Sequence, residues 1–178
     1  SLDSKRTLQT LADAAHELLS IDVALVLLRD EATAELFVAA VSGGDLRSTT
    51  DLRFSLDRQE LRDALSGTEP QRVPGAKAEF FNTWLGLSNE SIHAAAIAPM
   101  RLDDDLIGAL VVERYAAAAL DDNDLALLQA LAQEAALAIR NSRLYERERT
   151  QAERLRVMEE TQRHFISSFT HELRTPLT

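Results

Sequence analysis

Apolar residues recur at three- and four-residue spacing near the start of the chain. Leu8, Leu11, Ala12, Ala15, Leu18 and Leu19 form one stripe, which predicts an amphipathic helix over Leu2 to Leu19. Ile21 to Leu28 is instead a short, nearly continuous apolar run closed by Arg29-Asp30-Glu31. Its length and bounds predict a buried strand. Ala34 to Val41 is a second such run, ended by Ser42-Gly43-Gly44, and the short spacer between the two suits a hairpin. Leu52, Phe54 and Leu56 alternate with polar residues, as a brief third strand would. Helical spacing returns from Asp57 to Ser66, with Leu61, Ala64 and Leu65 on one face. Asp57 is placed to cap this helix, with Glu60 three residues on as in a capping box, and Gly67 stops it.

Thr68 to Asn89 has no clear period. It holds Pro70, Pro74, Gly75 and Gly86 together with Phe80, Phe81 and Trp84. A loop with three aromatics is expected to fold over something. Ile92 to Met100 and Leu106 to Val112 predict a last strand pair, joined by Arg101 to Asp105. At Asp121 the pattern changes for good. Asp121 and Asp124 take capping positions, and Leu125, Leu128, Leu131, Ala132, Ala135, Leu137 and Ile139 carry a helical stripe onward. Neither Gly nor Pro interrupts the chain until Pro176, which gives a helix of about 55 residues, or ~80 Å at 1.5 Å per residue. One small domain cannot bury that length, so most of it projects or pairs with another helix. The expected fold class is α+β: an antiparallel sheet flanked by helices over residues 1–140, followed by a long C-terminal coiled-coil helix.

Composition narrows the function classes. The 178 residues contain no cysteine, which removes disulfides, cysteine-ligated metals and thiol nucleophiles. The formal charge is −10, and Lys5 and Lys77 are the only lysines. Without a polybasic run a nucleic-acid partner is not expected. No apolar stretch reaches the ~18 residues of a membrane span. His16, His93 and His164 lack the carboxylate or cysteine company of a metal site, so no metal is expected.

A heptad frame fits the helix beyond residue 140. With d at Leu137, Leu144, Gln151, Met158 and Phe165, the a positions are Asn141, Glu148, Leu155, Gln162 and Phe169. Polar residues at several of these positions make a marginal seam and help to set register. The expectation is a parallel homodimer through this helix, with residues 141–163 as a signalling coiled coil. Two registers of similar energy would suit an element that transmits a signal.

The last residues are Phe165-Ile166-Ser167-Ser168-Phe169-Thr170-His171-Glu172-Leu173-Arg174-Thr175-Pro176-Leu177-Thr178. Phe169 at an a position faces the partner helix, so His171 takes the outward c position and is reachable. A neutral imidazole is a competent nitrogen nucleophile at physiological pH. Glu172 is adjacent and can fix the tautomer by accepting a ring N–H, which leaves the other nitrogen free to attack. Thr175 is one helical turn on, and Pro176 bends the chain just beyond. This run resembles the phosphoacceptor box of sensor histidine kinases, Phe-x-x-x-x-Ser/Thr-His-Glu-Leu-Arg-Thr-Pro-Leu, at every signature position from Phe165 to Leu177. The resemblance implies that His171 is the phosphoacceptor, that Glu172 assists as acid/base, and that Thr175 positions water for dephosphorylating the response regulator. Residues 164–178 would then open the dimerisation and phosphoacceptor domain, and the chain reads as a fragment that stops inside it.

Residues 1–140 resemble a GAF sensory domain. The features that carry the resemblance are the element order, Ala64-Leu65-Ser66-Gly67 followed by Pro70, Pro99, Gly108-Ala109-Leu110-Val111-Val112, and Leu120-Asp121 opening the last helix. PAS-type sensors share the general architecture. GAF domains that attach bilins use a cysteine, so the resemblance implies no covalent bilin here. The Asn-Lys-Phe-Asp signature of cyclic-nucleotide binders is absent. The expected pocket wall is Phe54, Phe80, Phe81, Trp84 and His93; the alternative is that these aromatics fill core.

Together these readings imply the sensory and transmitting part of a cytoplasmic histidine kinase, with an anchor upstream of Ser1 left open. The parent would take ATP, phosphorylate His171 and pass the phosphoryl group to an aspartate of a response regulator receiver domain. This stretch has no glycine-rich ATP lid, so by itself it is expected to be inactive. The alternative is a non-catalytic ligand-binding or dimerisation module with a vestigial kinase end.

Overall fold

The computed structural model describes residues 2–44, 52–73, 94–115 and 118–174, with side chains from Lys5 to Ser168. The elements follow in the order α1 (Leu2–Leu19), β1 (Val23–Arg29), β2 (Glu35–Gly43), β3 (Arg53–Ser55), α2 (Gln59–Leu65), β4 (Gln71–Val73), β5 (Ala94–Leu102), β6 (Asp105–Arg114) and α3 (Asp122–Arg174). The strands form one six-stranded sheet in the order β3-β2-β1-β6-β5-β4. Every pairing is antiparallel, as the α+β expectation required. The chain divides into two units, Ser1–Arg140 and Asn141–Thr178.

The central strands β1, β5 and β6 are buried on both faces, which is why they read as continuous apolar runs rather than as alternating ones. One face carries Ala24, Val26, Ala96, Ala98, Leu110 and Val112 against Leu8, Ala12 and Ala15 of α1 and Leu128, Ala132, Ala135 and Ala136 of α3. Small residues on both sides let two helices lie close on the sheet. The other face carries Val23, Leu25, Leu27, Ile97, Ala109 and Val111, together with Phe54 of β3 and Leu61 and Leu65 of α2. A bulge in β2 keeps these faces consistent. Val26 opposes Ala40 but Leu27 opposes Val38, so Ala39 is the extra residue of β2. Because side chains alternate, that single insertion moves Ala40 to the α1 face while Leu36 and Val38 stay on the α2 face. Gly43 closes β2 at φ 78°, and a Cβ there would lie 2.0 Å from the Asp22 carbonyl oxygen, so no larger residue fits.

Helix termini obey local chemistry in two of three cases. At the end of α1, Ile21 N–H donates to the His16 carbonyl and Ser20 N–H to the Glu17 carbonyl, both at 3.3 Å, with Ser20 at φ 48°. This is a Schellman cap with serine where glycine is usual. At the start of α3 the reciprocal box forms: Asp124 N–H donates to Asp121 Oδ1 at 2.8 Å, and Asp121 N–H to Asp124 Oδ2 at 3.0 Å. The box expected at Asp57 does not form. Asp57 N–H instead donates to Ser55 Oγ, which holds it in the turn after β3, and α2 starts later from Arg58 without a side-chain cap. Two further expectations are corrected. The stretch after Gly67 contains a strand, β4, too short and too polar to show a period. The hairpin between β5 and β6 closes at Asp103-Asp104, not over five residues, with Asp103 at φ 54°.

The second unit is helical. From Arg147 to Ser168 every described residue is exposed. Leu155, Met158, Phe165 and Ile166 are each more than 60% exposed. Among the described residues no helix is long and apolar enough to cross a membrane.

Candidate functional site

Two places carry the chemistry. The first is the α2 face of the sheet, at the end where β6 leaves it. Strand alternation places Ala109, Val111 and then Glu113 on that face. Glu113 lies opposite Val23 of β1 and Ala95 of β5. It is completely buried, the only buried polar or charged residue among those described. Neither carboxyl oxygen has a hydrogen-bond partner among the described residues. Burial pushes the acid up from 4.5 to about 7, because removing water penalises the charged form. A buried polar group without a partner costs on the order of 1–3 kcal/mol even when neutral, so this carboxyl does not serve packing.

The neighbouring positions are fully engaged. Arg114, next on β6, points to the opposite face. Its guanidinium donates to the Leu19 carbonyl at 2.8 Å and the Ala119 carbonyl at 3.1 Å, and pairs with Asp124 at 3.4 Å. One side chain thus ties the C-terminus of α1 to the N-terminus of α3. Asp22 accepts from the Tyr115 N–H at 2.7 Å, and its own N–H donates to the Glu113 carbonyl at 3.0 Å. Arg72 of β4 donates to the Leu120 carbonyl and pairs with Asp122. On the α2 side Arg101 donates to the Leu65 carbonyl and so closes the C-terminus of that helix.

Of the expected pocket residues, Phe54 is buried beside Leu36 on the α2 face. It sits level with the Arg29 end of β1, whereas Glu113 sits level with Val23. Six residues of strand separate the two levels, about 20 Å, so Phe54 and Glu113 do not share one small site. Phe80, Phe81, Trp84 and His93 lie outside the described residues. Sequence reasoning missed Glu113 by ending the strand at Val112. The available signal was the alternation Ala109, Val111, Glu113, which puts an acid on the core side.

The second place is the end of α3. The backbone of His171 and Glu172 continues the helix without a break from Asp122; their side chains, and Thr175, lie outside the described residues. His164, one heptad earlier, is exposed. No cluster of three metal-ligating side chains occurs among the described residues.

The sheet order, the helices on both faces and the strand register bear directly on kinship. A GAF domain family model matches residues 3–139. The chain belongs to the GAF domain family. Solved GAF domains share the fold at low identity. That of a phosphoenolpyruvate-protein phosphotransferase from Coxiella burnetii is 18% identical, with a TM-score of 0.67 over 80% of this chain and 86% of that one. The second GAF domain of DevS from Mycobacterium smegmatis is 20% identical, with a TM-score of 0.65 over 82% of this chain and 99% of that one. The blue-light absorbing form of the PixJ GAF domain from Thermosynechococcus elongatus is 23% identical, with a TM-score of 0.64 over 84% of this chain and 91% of that one. No curated protein sequence matches the chain. Identities this low carry the fold and not the ligand. The GAF match ends within α3, which runs on to Arg174.

Proposed function

We propose that this chain is the sensory and transmitting part of a two-component sensor histidine kinase. One observation carries the reading: the phosphoacceptor-like run begins at Phe165 on the helix that starts at Asp122, and its first ten residues, to Arg174, continue that helix. In the parent protein, a His171 ring nitrogen attacks the γ-phosphorus of ATP. An N–P bond forms, the bond to the bridging oxygen breaks, and ADP leaves. A receiver-domain aspartate then takes the phosphoryl group as an acyl phosphate, and the imidazole is restored. Glu172 holds the ring tautomer from the adjacent position. Thr175 positions water to hydrolyse the receiver's acyl phosphate, which releases inorganic phosphate and restores the aspartate. ATP and the receiver domain make this a cytoplasmic activity.

Transmission rests on β6 and the start of α3. Glu113 faces one side of the sheet, and the adjacent Arg114 grips the first turn of the output helix on the other. A ligand that displaces this strand end displaces the helix start, and a marginal coiled-coil seam converts a small shift into a choice between registers. The seam is completed by a second copy of the chain, in parallel.

The test is phosphorylation with a histidine-kinase ATP-binding domain supplied, either in trans or by restoring the C-terminal continuation. Acid-labile label from ATP is expected on the wild-type chain and is lost in His171→Gln. The 178-residue chain alone should take none. Absence of label under both conditions supports the other reading, a binding and dimerisation module without phosphotransfer.

A further inference from the structure

Glu113 has no role in the phosphotransfer chemistry, yet the fold keeps it fully buried on the α2 face with two unpartnered oxygens. The charged groups around it are committed elsewhere. Arg114 is turned to the opposite face and bonds two carbonyls and Asp124. Arg72 on β4 holds Leu120 and Asp122. Asp22 at the start of β1 accepts from the Tyr115 backbone. The facing positions of β5, from Ala94 to Met100, hold no titratable residue. No described cation therefore answers this carboxyl. Its immediate walls are apolar: Val23 and Ala95 in register, with Val73 and Tyr115 packed beside Ala95.

We propose that Glu113 anchors a small, flat organic cation carrying two parallel N–H donors, an amidinium or guanidinium group, in the sensory domain. Two such donors match both carboxylate oxygens at once in a fork geometry that a single ammonium does not reproduce. The apolar flanks suit a flat carbon body. The net charge of −10 favours approach of a cation over that of an anion. Binding converts the carboxyl to its ionised form, so the proton it carries below neutrality goes to solvent as the N–H donors take its place.

The inference rests on the sensory role proposed above, but its test reads binding directly. It can fail while His171 still accepts phosphate, and hold where His171 does not. The probe is benzamidine, titrated calorimetrically into the 178-residue chain, with benzoate as the charge-reversed control. One benzamidine per chain is expected, and no benzoate. Affinity should be about tenfold tighter at pH 8 than at pH 6, the ratio of ionised fractions for an acid titrating near neutrality. At pH 6, titrations in two buffers of different ionisation enthalpy should show close to one proton released per benzamidine bound. Glu113→Gln should weaken binding at least tenfold and abolish the proton release. Absence of binding at millimolar benzamidine, equal binding of benzoate, or unchanged affinity in Glu113→Gln overturns the proposal. If that variant does not fold, proton release by the wild type decides, and binding without it is equally fatal.

Discussion

Helix α3 carries apolar side chains along its whole length, but only its first turns hide them. Leu128, Ala132, Ala135, Ala136 and Ile139 are at most 4% exposed, whereas Leu155, Val157, Met158, Phe165 and Ile166 lie between 53% and 70%. The difference is not one of hydrophobicity. In the first stretch the apolar positions fall three and four apart and include small alanines, the spacing that lays one helix face on a sheet. In the second they thin to a seam with polar interruptions, and every described side chain from Arg147 to Ser168 is exposed. A stripe met by the chain's own sheet is core. A stripe left exposed is what the proposed pairing with a second copy would cover.

That contrast can be broken by substitution. Leu128→Ala removes a fully buried side chain between α3 and the sheet, and should cost the GAF domain about 3–4 kcal/mol in chemical denaturation. Glu113→Gln sharpens the account of the opposite face. Between roughly pH 4.5 and 7 the folded chain keeps on Glu113 a proton that the unfolded chain has released. Folding stability from this group is therefore full below the lower value, declines as pH rises through the window and levels off above it. The variant should lose that decline and gain up to about 3 kcal/mol over wild type at pH 8. Equal urea midpoints for the two proteins from pH 5 to 8 would remove Glu113 from the account. Arg114→Gln cuts the guanidinium link between the ends of α1 and α3, and should cost about 2 kcal/mol. It should also speed hydrogen exchange in the first turn of α3 more than in β1, whereas uniform acceleration would mean general destabilisation. Leu155→Ala is the smallest change for the domain: its unfolding should shift by less than ~0.5 kcal/mol, while self-association weakens about tenfold.

Where periodicity and burial agree, the elements were legible before any coordinates. The stripe from Leu8 to Leu19 apart from Leu18, which is exposed, the apolar runs of β1, β5 and β6, and the Asp121–Asp124 box all describe local chemistry that the fold keeps. Three features were not. Asp57 looked like a cap because residue types alone do not say where a turn ends, and the turn after β3 absorbs it through Ser55. β4 is held as a strand by its pairing to β5, a partner distant in sequence, and not by a pattern of its own. Glu113 looked like the polar end of a strand. It is buried because the β6 ladder runs on to Glu113 against β1 and to Arg114 against β5. Long-range pairing decided each of the last two cases, and a single sequence read by local period does not contain it.

The central proposal is that the sheet domain folds within one chain and that a second copy covers the seam of the helix beyond it. Native mass spectrometry of the 178-residue chain, beside its Leu155→Asp variant, tests this most directly. The account expects a dimer for the wild type, and for the variant a monomer whose GAF domain melts at the wild-type temperature. A wild-type monomer at high micromolar concentration, or a variant whose domain unfolds along with the loss of the dimer, would contradict it.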